Sequence, residues 1–262
     1  MFNNKWTVVF ALVFLIHVHL LPPVLGEEDQ VVTEEEISEL LSSLNSWDRV
    51  AKVLPWYEGK TAEVQAVKDE VIIQSARFIV VNGTIERCYV CSPRVVVRID
   101  SRRVPLVIRH IEARSIPRLI YDATKAWFRV VFRESTGTYS DRAPRFHLTN
   151  QEVEAILNSI NTWEDVKPIL RRNEGRVSSV SIVSDGEVYQ RAKFRVSGGR
   201  IRRCTFCISD VDVRIDAAHV QEIIDHIENR DKEGLFRDAS KAWFRVGLKG
   251  MTKIVYRYFY SL

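Results

Sequence analysis

Long uncharged runs are scarce in this sequence. No formal charge falls between Lys5 and Glu27, and no later stretch approaches that length, so the chain beyond residue 26 reads as soluble. An excess of one charge is also missing. The 38 Lys and Arg against 34 Asp and Glu leave only +4, too little to imply a nucleic-acid partner. There is no Gly-rich phosphate loop, no Gly-x-Ser-x-Gly elbow, no His-Glu-x-x-His and no paired catalytic His and Cys. No residue is therefore assigned a catalytic role, and nothing supports an enzyme. With 11 Gly and 8 Pro in 262 residues, 46% hydrophobic and 27% charged, the composition excludes a collagen-like, low-complexity or acidic disordered chain. Each half, at roughly 100 residues, is long enough to bury its own core.

What is present begins with a targeting segment over residues 1–26. Lys5 precedes an apolar run from Trp6 to Leu21, Pro22-Pro23 ends it, and Val24 and Gly26 lead into Glu27-Glu28-Asp29. A basic start, an apolar run and a small residue at the boundary make a secretory signal. Residues 6–25 also come close to the ~20 residues that span a bilayer, so a retained membrane anchor stays open beside cleavage. Either way the protein is expected to be secreted or extracytoplasmic. Disulfides are permitted there, no nucleic acid is expected as a partner, and membrane contact is expected only through residues 6–25 if they are kept.

A shift of 116 positions aligns two copies without a gap, and such internal periods come before any motif. Thr33 meets Thr149, Asn45 meets Asn161, Trp47 meets Trp163, and Gly59 meets Gly175. Lys125-Ala126-Trp127-Phe128-Arg129-Val130 meets Lys241-Ala242-Trp243-Phe244-Arg245-Val246. The expected organisation is a first α+β repeat over 27–133, a linker over 134–148 and a second α+β repeat over 149–262. Gly137, Ser140, Asp141 and Pro144 punctuate the linker.

Within a copy, Thr33 and Glu36 make a capping box, and Ile37, Leu40, Leu41 and Leu44 recur at helical spacing. A short helix through Trp47, Val50 and Val53 is predicted to end before Pro55. Four strand-like stretches follow near 62–68, 71–80, 85–90 and 94–99, with Asn82-Gly83 as a hairpin turn. Helical spacing returns at Val104, Ile108 and Ile111, and the Trp127-Phe128 strand closes the copy. The fold class is thus α+β: two tandem repeats, each an antiparallel sheet with helices packed on one face. Lys253 to Tyr260 adds a further strand candidate.

At this point the chain resembles the sterol-carrier-protein-2-like family. Ala192-Lys193-Phe194-Arg195-Val196 with Gly198-Gly199-Arg200-Ile201 resembles that family's strand–turn–strand centre. Asp212-Val213-Arg214-Ile215-Asp216 and the amphipathic helix after it resemble its next strand and helix, and Ala239 to Gly250 its closing passage. The resemblance covers about a hundred residues of each copy but lacks a diagnostic motif. The two Cys pairs, the export signal and the tandem arrangement depart from the family's pattern. It implies an apolar, lipid-binding cavity between sheet and helices.

The only cysteines are Cys88 and Cys91 in the first copy and Cys204 and Cys207 in the second. A redox dithiol needs its first thiol at a helix N-terminus, whereas strand-like sequence flanks both pairs. A zinc site would need both pairs, because four thiolates complete the tetrahedron, with 112 residues between Cys91 and Cys204. A local disulfide needs a tight turn, because residues i and i+3 of an extended strand lie ~10 Å apart, beyond the ~7 Å reach of the bond. All three stay open, with two buried thiols as the alternative to each local disulfide, so zinc is the one cofactor the sequence allows.

Asn82-Gly83-Thr84 is a possible glycosylation site in an exported chain and equally a turn. His110 and His226 read as ordinary helix positions without neighbouring ligands, Asp100 and Asp216 as helix caps. Arg200, Arg202 and Arg203 read as the solvated face of a strand. No ligand-binding residue and no oligomeric state can be read. The expectation is a non-catalytic binding protein for an apolar small molecule or lipid. Its rivals are a structural or envelope-associated interaction protein stapled by its CxxC pairs, then a dithiol oxidoreductase.

Overall fold

The computed structural model describes residues 32–131 and 143–247. The targeting segment over 1–26, most of the expected linker and the strand candidate at 253–260 lie outside the described residues. The described residues divide into two compact units between Phe128 and Arg129, within the strand Trp127–Val130 that closes the first. Ten strands and eight α-helices occur among the described residues, a mixed α+β architecture. No described helix is long and apolar enough to cross a membrane.

The first unit runs α1 (Glu34–Asn45), α2 (Asp48–Ala51), β1 (Thr61–Lys68), β2 (Val71–Val81), β3 (Thr84–Arg87), β4 (Val95–Asp100), α3 (Val104–Glu112), α4 (Ile116–Ala123) and β5 (Trp127–Val130). Thr33 starts α1 as the sequence predicts: its hydroxyl accepts from the Glu36 amide at 3.2 Å, and Glu36 accepts from the Thr33 amide at 2.7 Å. The helix buries Ile37, Leu40, Leu41 and Leu44. At its other end Asn45 bonds both main-chain groups of Ile85 on β3, at 2.8 and 3.0 Å, which occupies polar groups that an edge strand would leave open. α2 ends at Ala51, before Pro55, as the sequence predicts, though short of Val53; Leu54–Tyr57 then forms a separate 3₁₀ turn with Pro55 near its start, where proline's missing N–H costs nothing.

Strand order is β3-β2-β1-β4-β5. β1, β2 and β3 pair antiparallel, but β4 pairs parallel with β1. The sheet is therefore mixed, a correction to the antiparallel sheet expected from the sequence. Parallel partners usually need a crossover of about a dozen residues or more. Here the strands are staggered along their axes: Arg87 at the end of β3, Phe78, Ala62 and Val95 at the start of β4 share one level across the sheet. Residues 88–94 then suffice to bring the chain from one edge past two strands.

The second unit runs α5 (Asn150–Asn161), α6 (Lys167–Arg172), β6 (Val177–Ser184), β7 (Glu187–Ser197), β8 (Arg200–Arg203), β9 (Val211–Asp216), α7 (Val220–Glu228), α8 (Lys232–Ala239) and β10 (Trp243–Val246), with strand order β10-β9-β6-β7-β8. Thr149 and Glu152 form its capping box, Asn161 bonds both main-chain groups of Ile201 at 2.7 and 2.9 Å, and β9 pairs parallel with β6.

Candidate binding site

Helix amphipathicity and strand alternation together decide what lies between sheet and helices. In the second unit α5 turns Val153, Ile156, Leu157 and Ile160 toward the sheet, and α7 turns Val220, Ile224 and Ile227 the same way. Opposite them stand Val180, Ile182, Phe194, Val213 and Ile215. These walls line an apolar cavity of about 360 Å³, partly open to solvent. Ser178 and Arg195 are the polar residues at its wall. Arg195 sits between Phe194 and Val196 on β7, so strand alternation turns its side chain to the opposite face. Ligand sites typically start at roughly 300 Å³. Left without an occupant, the walls of such a pocket lack the contacts that a packed core would supply.

The matching place in the first unit, bounded by Ile37, Leu40, Leu41, Val64, Phe78 and Ile99, holds about 50 Å³. The wall residues there are nearly isosteric with those 116 positions on, but their neighbours are more deeply buried. Leu44 and Val97 are 0% exposed, Ile85 1% and Phe78 3%; their counterparts Ile160, Val213, Ile201 and Phe194 are only half-buried. One aromatic ring is also missing from the second core. Tyr57 is buried in the first unit, whereas Asn173 at the matching position is exposed and donates to the Ile169 carbonyl at 2.8 Å.

Both crossovers carry a cysteine pair. Cys88 is bonded to Cys91 and Cys204 to Cys207, with Cα separations of 5.8 and 5.9 Å; each segment bends instead of continuing as strand. A cation from the neighbouring strand pins each one: Arg77 donates to the Cys91 carbonyl at 3.5 Å, Lys193 to the Cys207 carbonyl at 2.8 Å. Neither pair opens a helix, since the next helical turns begin at Ser101 and Ala217. The tips point outward, with Val90 95% and Phe206 99% exposed. On the chain-entropy account a loop this short contributes about 2 kcal/mol. Reducing the protein, or changing both cysteines of one pair to Ser, is thus expected to lower the urea unfolding free energy by that amount per pair. An unchanged urea midpoint would show that the pairs stabilise nothing.

Asn82 lies exposed at the β2–β3 turn with φ +51°, followed by Gly83 at +70°, the left-handed pair that a tight hairpin requires. Glu58 accepts from both amides, at 2.9 and 3.2 Å. Glu174 does the same for Gly198 and Gly199, and these bonds hold its carboxyl below the usual range. Asp100 and Asp216 accept from the amides of Arg102 and Ala218 and so cap 3₁₀ turns.

His110 and His226, ordinary helix positions by sequence, each meet a buried carboxylate. His110 Nδ1 lies 2.6 Å from Asp122, which also accepts from Arg103 at 3.1 Å. His226 lies 2.9 Å from Asp231 and 3.5 Å from Asp238. Burial raises the Asp238 carboxyl. Donor atoms of Glu222, His226 and Asp238 fall within 4.8 Å of one another, a spacing that suits a cation. The Lys241 ammonium already stands 2.7 Å from Glu222 and 3.1 Å from Asp238. Against the cost of burial, these bonds hold Lys241 above its ordinary value. The signal in the sequence was the 116-residue offset, which relates Asp122 to Asp238 as it does the two histidines.

Comparison with known protein families and with curated proteins finds no match to either.

Proposed function

We propose that this chain is an exported, non-catalytic binding protein that arose by tandem duplication of one α+β module, and that its second unit holds a single apolar, lipid-like ligand between α5, α7 and the sheet. The observation that carries this reading is the pair of volumes, about 360 Å³ in one unit and about 50 Å³ at the matching place in the other. A wall of Ile, Val, Leu and Phe offers no group to activate a substrate, but it releases ~25 cal/mol for each Å² of apolar ligand surface taken from water. The resemblance to the sterol-carrier-protein-2-like family points the same way. The duplication is supported by capping boxes, Asn clamps, parallel pairs and cysteine turns recurring 116 residues apart. The close-packed first unit favours a structural task for that unit, with its disulfide turn as a staple.

Titration with a fluorescent polyene fatty acid tests the reading. The expected result is saturable binding at one site per chain, competed by a non-fluorescent fatty acid. Two equal sites, or no saturable binding, would contradict it.

A further inference from the structure

The two units differ most in charge on the sheet face turned away from the helices. On β7 and β8 of the second unit, Arg191, Lys193, Arg195, Arg200 and Arg202 alternate with inward residues, and the register sets Arg195 beside Arg202. Four of the five are exposed, Lys193 being the exception. No Asp or Glu occurs between Tyr189 and Arg203. The matching residues of the first unit are Ser75, Arg77, Ile79, Thr84 and Glu86, and there Arg77 is paired with Glu63 at 2.8 Å. Glu63 has become Ser179 in the second unit; the acid on that face is Asp212 on β9, level with Ser179 and Lys193, and Arg245 takes it at 2.8 Å.

The chain leaves this basic strip directly into the Cys204–Cys207 turn. Lys193, which belongs to the strip, holds the Cys207 carbonyl, so the turn lies against the same face. It carries Phe206 at 99% and Ile208 at 81% exposure. The disulfide constrains the turn around Phe206, and Ile208 follows directly after it. Cations with no ion-pair partner among the described residues, beside a fixed apolar tip, match the layering of an anionic bilayer, in which charged headgroups lie above the acyl boundary.

We propose that this face of the second unit docks on an anionic lipid surface, with the five cations over the headgroups and Phe206 and Ile208 entering the acyl boundary. The occupant is a bilayer because an apolar tip gains from hydrocarbon, and the charge strip gains from lipid phosphate or carboxylate. Contact of this kind does not use residues 6–25, to which the sequence alone confined the membrane. It is also independent of the cavity, which opens on the other face of the sheet.

Vesicle co-flotation of the full chain tests it, comparing phosphatidylcholine alone with phosphatidylcholine containing phosphatidylserine. Binding is expected to be stronger with the anionic lipid and to weaken as salt rises. At ~fivefold per cation near such a surface, Arg200→Glu with Arg202→Glu removes about 25-fold of the preference or more. Phe206→Ser with Ile208→Ser weakens binding at every salt concentration, and Val90→Ser in the first unit changes nothing. All variants keep the polyene fatty acid site, which separates failure here from failure of the cavity reading. An unchanged preference in the charge variant would overturn the proposal. Binding of a single-stranded RNA with no preference among vesicles would overturn it too.

Discussion

Val213→Phe is expected to leave the protein folded while reducing fatty-acid binding at least tenfold, whereas Val97→Phe, the same change 116 residues earlier, destabilises the first unit. Val97 is 0% exposed in a core whose remaining space is about 50 Å³. Added volume there forces side chains off their rotamers at ~1–3 kcal/mol. Val213 instead borders the 360 Å³ cavity, where a ring fills void at little strain and recovers contacts the empty wall lacks. Urea unfolding and probe titration on the two variants give both readouts. Equal destabilisation by both substitutions would mean that the second core is as closed as the first.

Asp122→Ala is expected to cost about 3–5 kcal/mol, the usual penalty for removing one partner of a buried ion pair. Asp122 is 2% exposed and takes bonds from two side chains on α3 and the turn before it, His110 at 2.6 Å and Arg103 at 3.1 Å. Deleting it takes the shared acceptor from a largely buried imidazole and a partly buried guanidinium. Asp122→Asn keeps an acceptor and loses less. The measurement is the urea unfolding free energy of each variant. A loss below about 1 kcal/mol for Asp122→Ala, the level of an exposed pair, would show that the cluster does not hold α3 to α4.

Local features of the fold were legible because local chemistry decides them. Thr33 with Glu36 marks a helix start, and Asn82-Gly83 a turn needing two left-handed residues; both signals lie within four residues. The parallel partner of β1 was not legible, because it depends on the axial stagger that places Arg87 level with Val95, and no residue type encodes stagger. His110 was read without a partner because Asp122 lies twelve residues away on another helix. Most of the cavity escaped for a further reason. Leu40 against Ile156, or Leu41 against Leu157, are interchangeable in any hydrophobic pattern. Whether such residues meet or stand apart follows from how far helix and sheet are held from each other. Only Tyr57 against Asn173 left a trace of lost volume in the chain itself. The charge of β7 and β8 was visible as Arg200, Arg202 and Arg203, but its one-sidedness needed the strand register.

The most direct test of the cavity reading is methyl NMR of isoleucine-labelled protein titrated with an unlabelled fatty acid. The expected result is that Ile156, Ile182 and Ile224, which line the second unit's cavity, shift and saturate at one equivalent. Ile37 and Ile99, at the matching place in the first unit, stay where they are. Shifts at both sets, or at neither while the acid binds elsewhere, would contradict a protein with one closed core and one hollow one.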